Sequence, residues 1–202
     1  TAIYKNKLGN FHPDTATSLS NLAEAYRSQG RYREAESPLV EALEIRKNSL
    51  GSQHPDTARS LNNLALLYSS QKRYEDAETL YVKALEIWRI KLGNHHPDTA
   101  SCLNNLALLY VSQGRYREAE PLYIEALEIR KSELGDRHSD TAGSLFNIAA
   151  LYHNTQRHQQ ALSLIKQALE VYIPVLGENH PNTQAAMSWL DSIQKALNGT
   201  SN

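Results

Sequence analysis

Five histidines stand at positions 12, 54, 96, 138 and 180, each 42 residues after the last. Histidine is both a common metal ligand and a common general base, so an evenly spaced set first raises the question of metal. The spacing argues against it. Each histidine opens its own copy of one phrase: HPDTA at 12, 54 and 96, HSDTA at 138 and HPNTQ at 180. Neighbouring packed helices lie about 8–10 Å apart, whereas a Zn–N bond is about 2 Å, so two copies cannot share one ion. The five read as turn residues entering a helix. His153 and His158 read as isolated, and His95 beside His96 has no ligand spacing with a cysteine or carboxylate. Cys102 is the single cysteine. It cannot form an intrachain disulfide, and with no base beside it, it reads as a small apolar filler rather than a nucleophile. Glu34/Glu36 and Glu118/Glu120 resemble paired carboxylates for acid–base work, yet Arg33 and Arg117 adjoin them, which favours a solvated, charge-mixed face. Glycines occur singly, so no phosphate-cradling loop is present. The expectation is no enzyme, no metal and no cofactor.

The remaining polar signal is an asparagine recurring at 21, 63, 105 and 147, each directly before an apolar residue: Leu22, Leu64, Leu106 and Ile148. Asparagine is a poor helix-interior residue, so the recurrence needs a reason. The elements that hold it follow from the repeat. Residues 54–95 and 96–137 agree at 27 of 42 positions, which defines a 42-residue supersecondary unit. Leu61, Leu64, Ala65 and Tyr68 fall on one face of a first helix; Tyr74, Ala77, Tyr81, Ala84, Leu85, Trp88 and Leu92 trace the stripe of a longer second helix. Pro13, Pro55, Pro97 and Pro181 suit the first helical position. Gly9, Gly51, Gly93, Gly135 and Gly177 suit the end of the second helix. Gly30 and Gly114 suit the left-handed turn between the two helices, where Lys72 and Gln156 in the other copies should be strained or differently capped. The spacing predicts helices over 13–29, 32–50, 55–71, 74–92, 97–113, 116–134, 139–155, 158–176 and 181–197. Pro38, Pro121 and Pro174 fall inside second helices and should bend them.

Composition bounds the rest. A balance of 21 Lys+Arg against 22 Asp+Glu supplies no footprint for nucleic acid. No apolar run approaches the roughly 18 residues a membrane span requires. The chain starts at Thr1 without a charged-then-apolar leader, so a cytoplasmic piece of a longer protein is expected, and Asn198-Gly199-Thr200 carries little weight as a glycosylation sequon.

Leu61, Leu64, Ala65, Tyr68, Tyr74, Ala77, Tyr81 and Ala84 together resemble the two-helix signature of the tetratricopeptide repeat. The longer period, with LNNLALLY, RYREAEPLY, ALEIRK and LG-xx-HPDTA, resembles the repeats of kinesin light chain and related bacterial multi-repeat proteins. The resemblance implies an all-α, right-handed solenoid of antiparallel helix pairs. Its parts would be the end of a preceding second helix at 1–9, repeats at 10–51, 52–93, 94–135 and 136–177, a C-terminal capping helix at 178–198 and a tail at 199–202. It further implies that first helices line a concave groove, where Asn21, Asn63, Asn105 and Asn147 resemble the asparagine ladder of O-linked N-acetylglucosamine transferase. There the amides would bond the backbone of an extended peptide, as a group offering both donor and acceptor can. The alternative is that each amide ties its helix to a neighbour.

Arg59, Asn62, Asn104, Leu66, Leu108 and Phe146 would share the groove. Lys and Arg are absent from Ser20, Glu24, Asn62, Leu66, Asn104 and Leu108, which argues against the carboxylate clamp of some family members. Trp189 stands where a fifth asparagine would, so the ladder ends there. The expected function is a scaffold that binds a peptide or protein partner, with no nucleic acid and no membrane. The alternative is a structural spacer that self-associates through exposed solenoid ends.

Overall fold

The computed structural model describes residues 12–199, so the expected helix end at 1–9 with its Gly9 stop and the last three tail residues lie outside the described residues. Among the described residues there are nine helices and no strand: α1 (Pro13–Ser28), α2 (Tyr32–Leu50), α3 (Pro55–Ser70), α4 (Tyr74–Lys91), α5 (Pro97–Ser112), α6 (Tyr116–Leu134), α7 (Ser139–Asn154), α8 (His158–Leu176) and α9 (Pro181–Gly199). Their bounds follow the sequence expectation to within two residues; α9 runs on through Asn198 to Gly199, which the sequence assigned to the tail. The helices continue through Pro38, Pro121 and Pro174. No described helix is long and apolar enough to cross a membrane.

The first helices begin on histidine. Nδ1 of His12, His54, His96, His138 and His180 accepts the backbone N–H two residues on, at 3.1–3.2 Å. This satisfies one of the donors that a helix start leaves open, the task that Ser, Thr, Asp or Asn usually performs. The turn reading of these histidines thereby becomes specific: they are N-caps. Threonine closes the same turn from the other side. Thr57, Thr99 and Thr141 are fully buried, and their hydroxyls donate to the carbonyls of Gly51, Gly93 and Gly135 at 2.8, 3.1 and 2.8 Å.

The short turns between first and second helices share one solution. Gly30 and Gly114 have φ of 72° and 73°, and Lys72 and Gln156 both adopt 62°, so of the two alternatives for these copies, strain or a different cap, the left-handed strained one is found. The next residue, Arg31, Arg73, Arg115 or Arg157, returns its N–H to the carbonyl of Tyr26, Tyr68, Tyr110 or Tyr152. Its guanidinium lies over that tyrosine ring, 3.7–4.4 Å from the centroid.

The chain divides into two compact units, the division falling between Leu109 and Tyr110 within α5. In the first, α1 packs on α2, α2 on α3 and α3 on α4, with α1 also touching α3. Ala16, Ala42, Ala58, Ala65, Ala77 and Ala84 are fully buried, letting helices approach closely while Leu19, Ile45, Leu61 and Tyr81 fill the gaps. In the second, α6 packs on α7, α7 on α8 and α8 on α9, with α9 reaching α7. Its core joins Ala142, Ala149, Ala161, Ala168 and Ala186 to Ile165, Tyr172 and Ile193.

Candidate functional site

In the first unit, Arg59, Asn62, Asn63 and Leu66 fall at i, i+3, i+4 and i+7 on α3, one face of the helix. Asn104, Asn105 and Leu108 occupy the matching face of α5. Two of these residues meet: Asn105 Nδ2 donates to Asn62 Oδ1 at 3.2 Å. Arg59 is held by Asp56 at 2.7 Å and lies 3.6 Å from Asp98, so its charge is matched. Asn63 is half-buried, and its amide makes no side-chain hydrogen bond among the described residues. Leu66 is half-buried beside it, and Leu108 is 46% exposed, unusual for a leucine on a packed helix. Asn21 is exposed and makes no such bond either; its neighbours Ser20 and Glu24 are tied to the Ala16 carbonyl and to Arg27.

In the second unit, Phe146 and Asn147 lie side by side on α7 and line a pocket of about 450 Å³ with Arg130, Asp140, Gly143 and Tyr172. Arg130 donates to Ser144 Oγ at 2.7 Å and to the Asp140 carbonyl at 3.3 Å. Burial pushes its pKa down, partly opposed by the Asp140 charge. A Cβ on Gly143 would sit 3.3 Å from the Tyr172 hydroxyl, so a glycine here leaves room for that ring. Phe146 meets Trp189 edge-to-face at 6.3 Å, and Trp189 meets His153 in the same way at 5.5 Å. Phe146 and Trp189 are the repeat equivalents of Asn62 and Asn105, two periods on. An amide pair in one unit and an aromatic pair in the other thus join the same two positions.

One expectation is corrected, and two others gain their partners. His153 and His158 are not isolated: their Nδ1 atoms stand 3.1 Å apart. Burial, and then the His158 charge, pushes the His153 pKa down. The carboxylates pair with other arginines than Arg33 and Arg117. Glu34 and Glu118 bond Arg31 and Arg115 on the same helix end, while Glu36 and Glu120 reach Arg73 and Arg157 one repeat later, at 3.0 and 2.8 Å. The hydrogen bond from Arg157 lowers the Glu120 pKa. Cys102 is fully buried, with its thiol directed at the Tyr81 carbonyl at 3.4 Å, and burial pushes its pKa up to about 12. That environment suits a filler and opposes a thiolate nucleophile.

Sequence reasoning missed two inward-turned arginines, one buried and one half-buried. Arg46 is 4% exposed and donates to Ser60 on α3 and Thr17 on α1 at 2.8 and 3.1 Å. Arg130 repeats the serine contact with Ser144. In the alternate copies Trp88 and Tyr172 stand at this position, and Cys102 and Ala186 replace the serine. That two-repeat alternation was the available signal. Two clefts between second helices were likewise unmarked: one of about 630 Å³ beside Lys131, Gln167 and Glu170, and its equivalent of about 360 Å³ beside Lys47, Lys83 and Glu86.

Known proteins show the same repeat. Models described as tetratricopeptide repeat match residues 15–56, 39–89, 56–132, 112–173 and 140–188. Among solved structures, BtubC (BKLC) from P. vanneervenii is 26% identical with a TM-score of 0.83, covering 98% of this chain and 78% of that one. A putative kinesin light chain from P. anserina, with nearly identical TPR-like repeats, is 26% identical with a TM-score of 0.78, covering 94% of this chain and 89% of that one. No curated protein matches the chain.

Proposed function

This chain belongs to the tetratricopeptide repeat family, whose fold is typical of protein–protein interaction scaffolds, and from that premise we propose that it binds an extended peptide segment of a partner protein along its first-helix face. The repeats at 10–51, 52–93, 94–135 and 136–177, with 178–198 as a closing helix, are part of this reading. One observation carries it: the Asn63 amide is half-buried, makes no side-chain hydrogen bond among the described residues, and sits beside Leu66 on the α3 face. A primary amide can donate to one peptide group and accept from the next, whatever the peptide's side chains. Leu66 and exposed Leu108 supply apolar surface for one side chain of the segment. Asn105 has a different role in this reading. Its bond to Asn62 braces α5 against α3 and holds the second amide of that pair in place.

The brace also favours a second reading, a structural spacer within a larger protein, in which the whole amide set serves helix packing. Selection from a random linear peptide library on the immobilised chain separates the two. The binding reading expects enrichment of related extended sequences, competed by free peptide. A library that returns nothing above background, from a chain whose folding is verified by circular dichroism, favours the spacer.

A further inference from the structure

His153 and His158 are five residues apart, a spacing that matches no helical metal motif. The fold closes the gap. α7 ends at Asn154, Gln156 turns through a left-handed φ of 62°, and α8 starts at His158, so the last turn of one helix faces the first turn of the next. The two Nδ1 atoms come within 3.1 Å. The rings are tilted by 55° with centroids 4.8 Å apart, so they splay from that meeting point rather than stack. Two imidazole nitrogens bound to one tetrahedral cation at about 2.0–2.1 Å stand about 3.3 Å apart. The observed separation is close to that edge.

We infer that His153 and His158 form a two-histidine site for a divalent late-transition cation of the zinc, nickel or copper class, with both Nδ1 atoms as ligands. Imidazole nitrogen suits these ions, and water fills the remaining positions. Among the described residues no group of three or more His, Cys, Asp or Glu could hold a metal, so this is an open site, weaker than a four-ligand cage and able to accept a further ligand. The capping histidines differ in kind, because each spends its Nδ1 on a backbone N–H, whereas His153 and His158 share a hydrogen bond between their own Nδ1 atoms that a common ion would replace. Trp189, 5.5 Å from the His153 ring, walls the site and reports on it.

The test titrates the untagged chain with nickel(II) at neutral pH, reading tryptophan fluorescence, and with zinc(II) by calorimetry. Saturable quenching at one ion per chain is expected, absent from Trp189→Phe although that variant still binds zinc. His153→Gln and His158→Gln should each weaken binding about tenfold or more, while His95→Gln leaves it unchanged. Thermal unfolding in chelator checks that each variant folds; if His153→Gln does not, His158→Gln decides. Wild-type affinity in folded His158→Gln overturns the site, as does the absence of saturable binding to the wild-type chain.

Discussion

On the first-helix face of the unit ending at Leu109, four repeat positions hold Arg59, Asn62, Asn63 and Asn105; two periods on, in the other unit, they hold Gly143, Phe146, Asn147 and Trp189. The first set is polar, with an amide–amide bond and an arginine matched by two aspartates. The second is an aromatic corner against a glycine, with the neighbouring arginine withdrawn into a pocket. Yet the contact between positions 62 and 105 survives the change of chemistry as the contact between 146 and 189. In the proposed reading a contact kept while its chemistry is replaced is a bracing contact, because packing can be met by an amide pair or an aromatic pair alike. The position next to it, Asn63 and Asn147, keeps its asparagine in both units. In the proposed reading the two roles that the sequence could not separate, ladder and brace, fall to Asn63 and to the Asn62–Asn105 pair.

The largest effect is expected where the aromatic unit ends. α9 covers the face of α8 and α7 with Ala186, Trp189 and Ile193, and each large side chain buried is worth roughly 1.5–3 kcal/mol. Deleting residues 180–202 should lower stability by more than about 3 kcal/mol or cause aggregation, seen in thermal unfolding and light scattering. A truncated chain as stable and soluble as the parent would show that α9 closes nothing.

Threonine distinguishes α9 from the earlier first helices of both units. Thr57 hydroxyl donates to Gly51, but the equivalent Thr183 is fully buried and finds no partner among the described residues. Thr57→Val should cost about 1–2 kcal/mol, and Thr183→Val should be neutral or stabilising, since a buried unpaired hydroxyl is itself unfavourable. Equal losses in chemical denaturation would mean that Thr183 is satisfied in solution.

Lys72 and Gln156 should behave alike, one in each unit. The left-handed region costs an L-residue about 1–2 kcal/mol, and glycine gives back about 0.5–1 through its freer unfolded chain. Lys72→Gly and Gln156→Gly should each stabilise by roughly 0.5–1 kcal/mol in the same assay. A loss at either position would indicate that the side chain contributes more than its backbone strain removes.

The smallest expected effect is in pH. His153 has its folded pKa lowered, so the unfolded chain takes up the proton first, and stability declines as pH falls through the ordinary histidine value of about 6.5. Glu120, lowered by Arg157, contributes stability that is present above the ordinary carboxylate value of about 4.3 and is lost as pH falls through its folded value. Both residues belong to the second unit. His153→Gln should flatten the dependence between roughly pH 7 and 5 while leaving the more acidic limb; an unchanged profile would place the titration elsewhere.

The architecture was legible because a 42-residue repeat presents the same local solution again and again. His-Pro-Asp starts and glycine stops set the helix ends, and the alignment of Lys72 and Gln156 with Gly30 and Gly114 marks both as special turn positions without deciding between strain and a different cap. The site was less legible for geometric reasons. Arg46 and Arg130 sit in the same charged phrase as Lys47 and Lys131, which pair with Glu44 and Asp136, and only the fold shows the arginines turned inward to serines. Arg31, rather than Arg33, reaches Glu34 because it caps the helix and points along its first turn. The histidine pair depends on a chain reversal that spacing alone does not reveal.

Single substitutions at Asn63 and Asn105 test the separation of ladder from brace most directly. A library-selected peptide is titrated against the wild type, Asn63→Ala and Asn105→Ala, and the thermal unfolding of all three is recorded. One lost hydrogen bond is worth about 0.5–1.5 kcal/mol, so Asn63→Ala should weaken binding roughly 2- to 12-fold with stability unchanged or slightly raised, as alanine is the better helix former. Asn105→Ala should instead lower stability by a similar amount, because Asn62 loses its partner. Full peptide affinity in Asn63→Ala, with a clearly lowered melting temperature, would contradict the account and make both asparagines internal bracing.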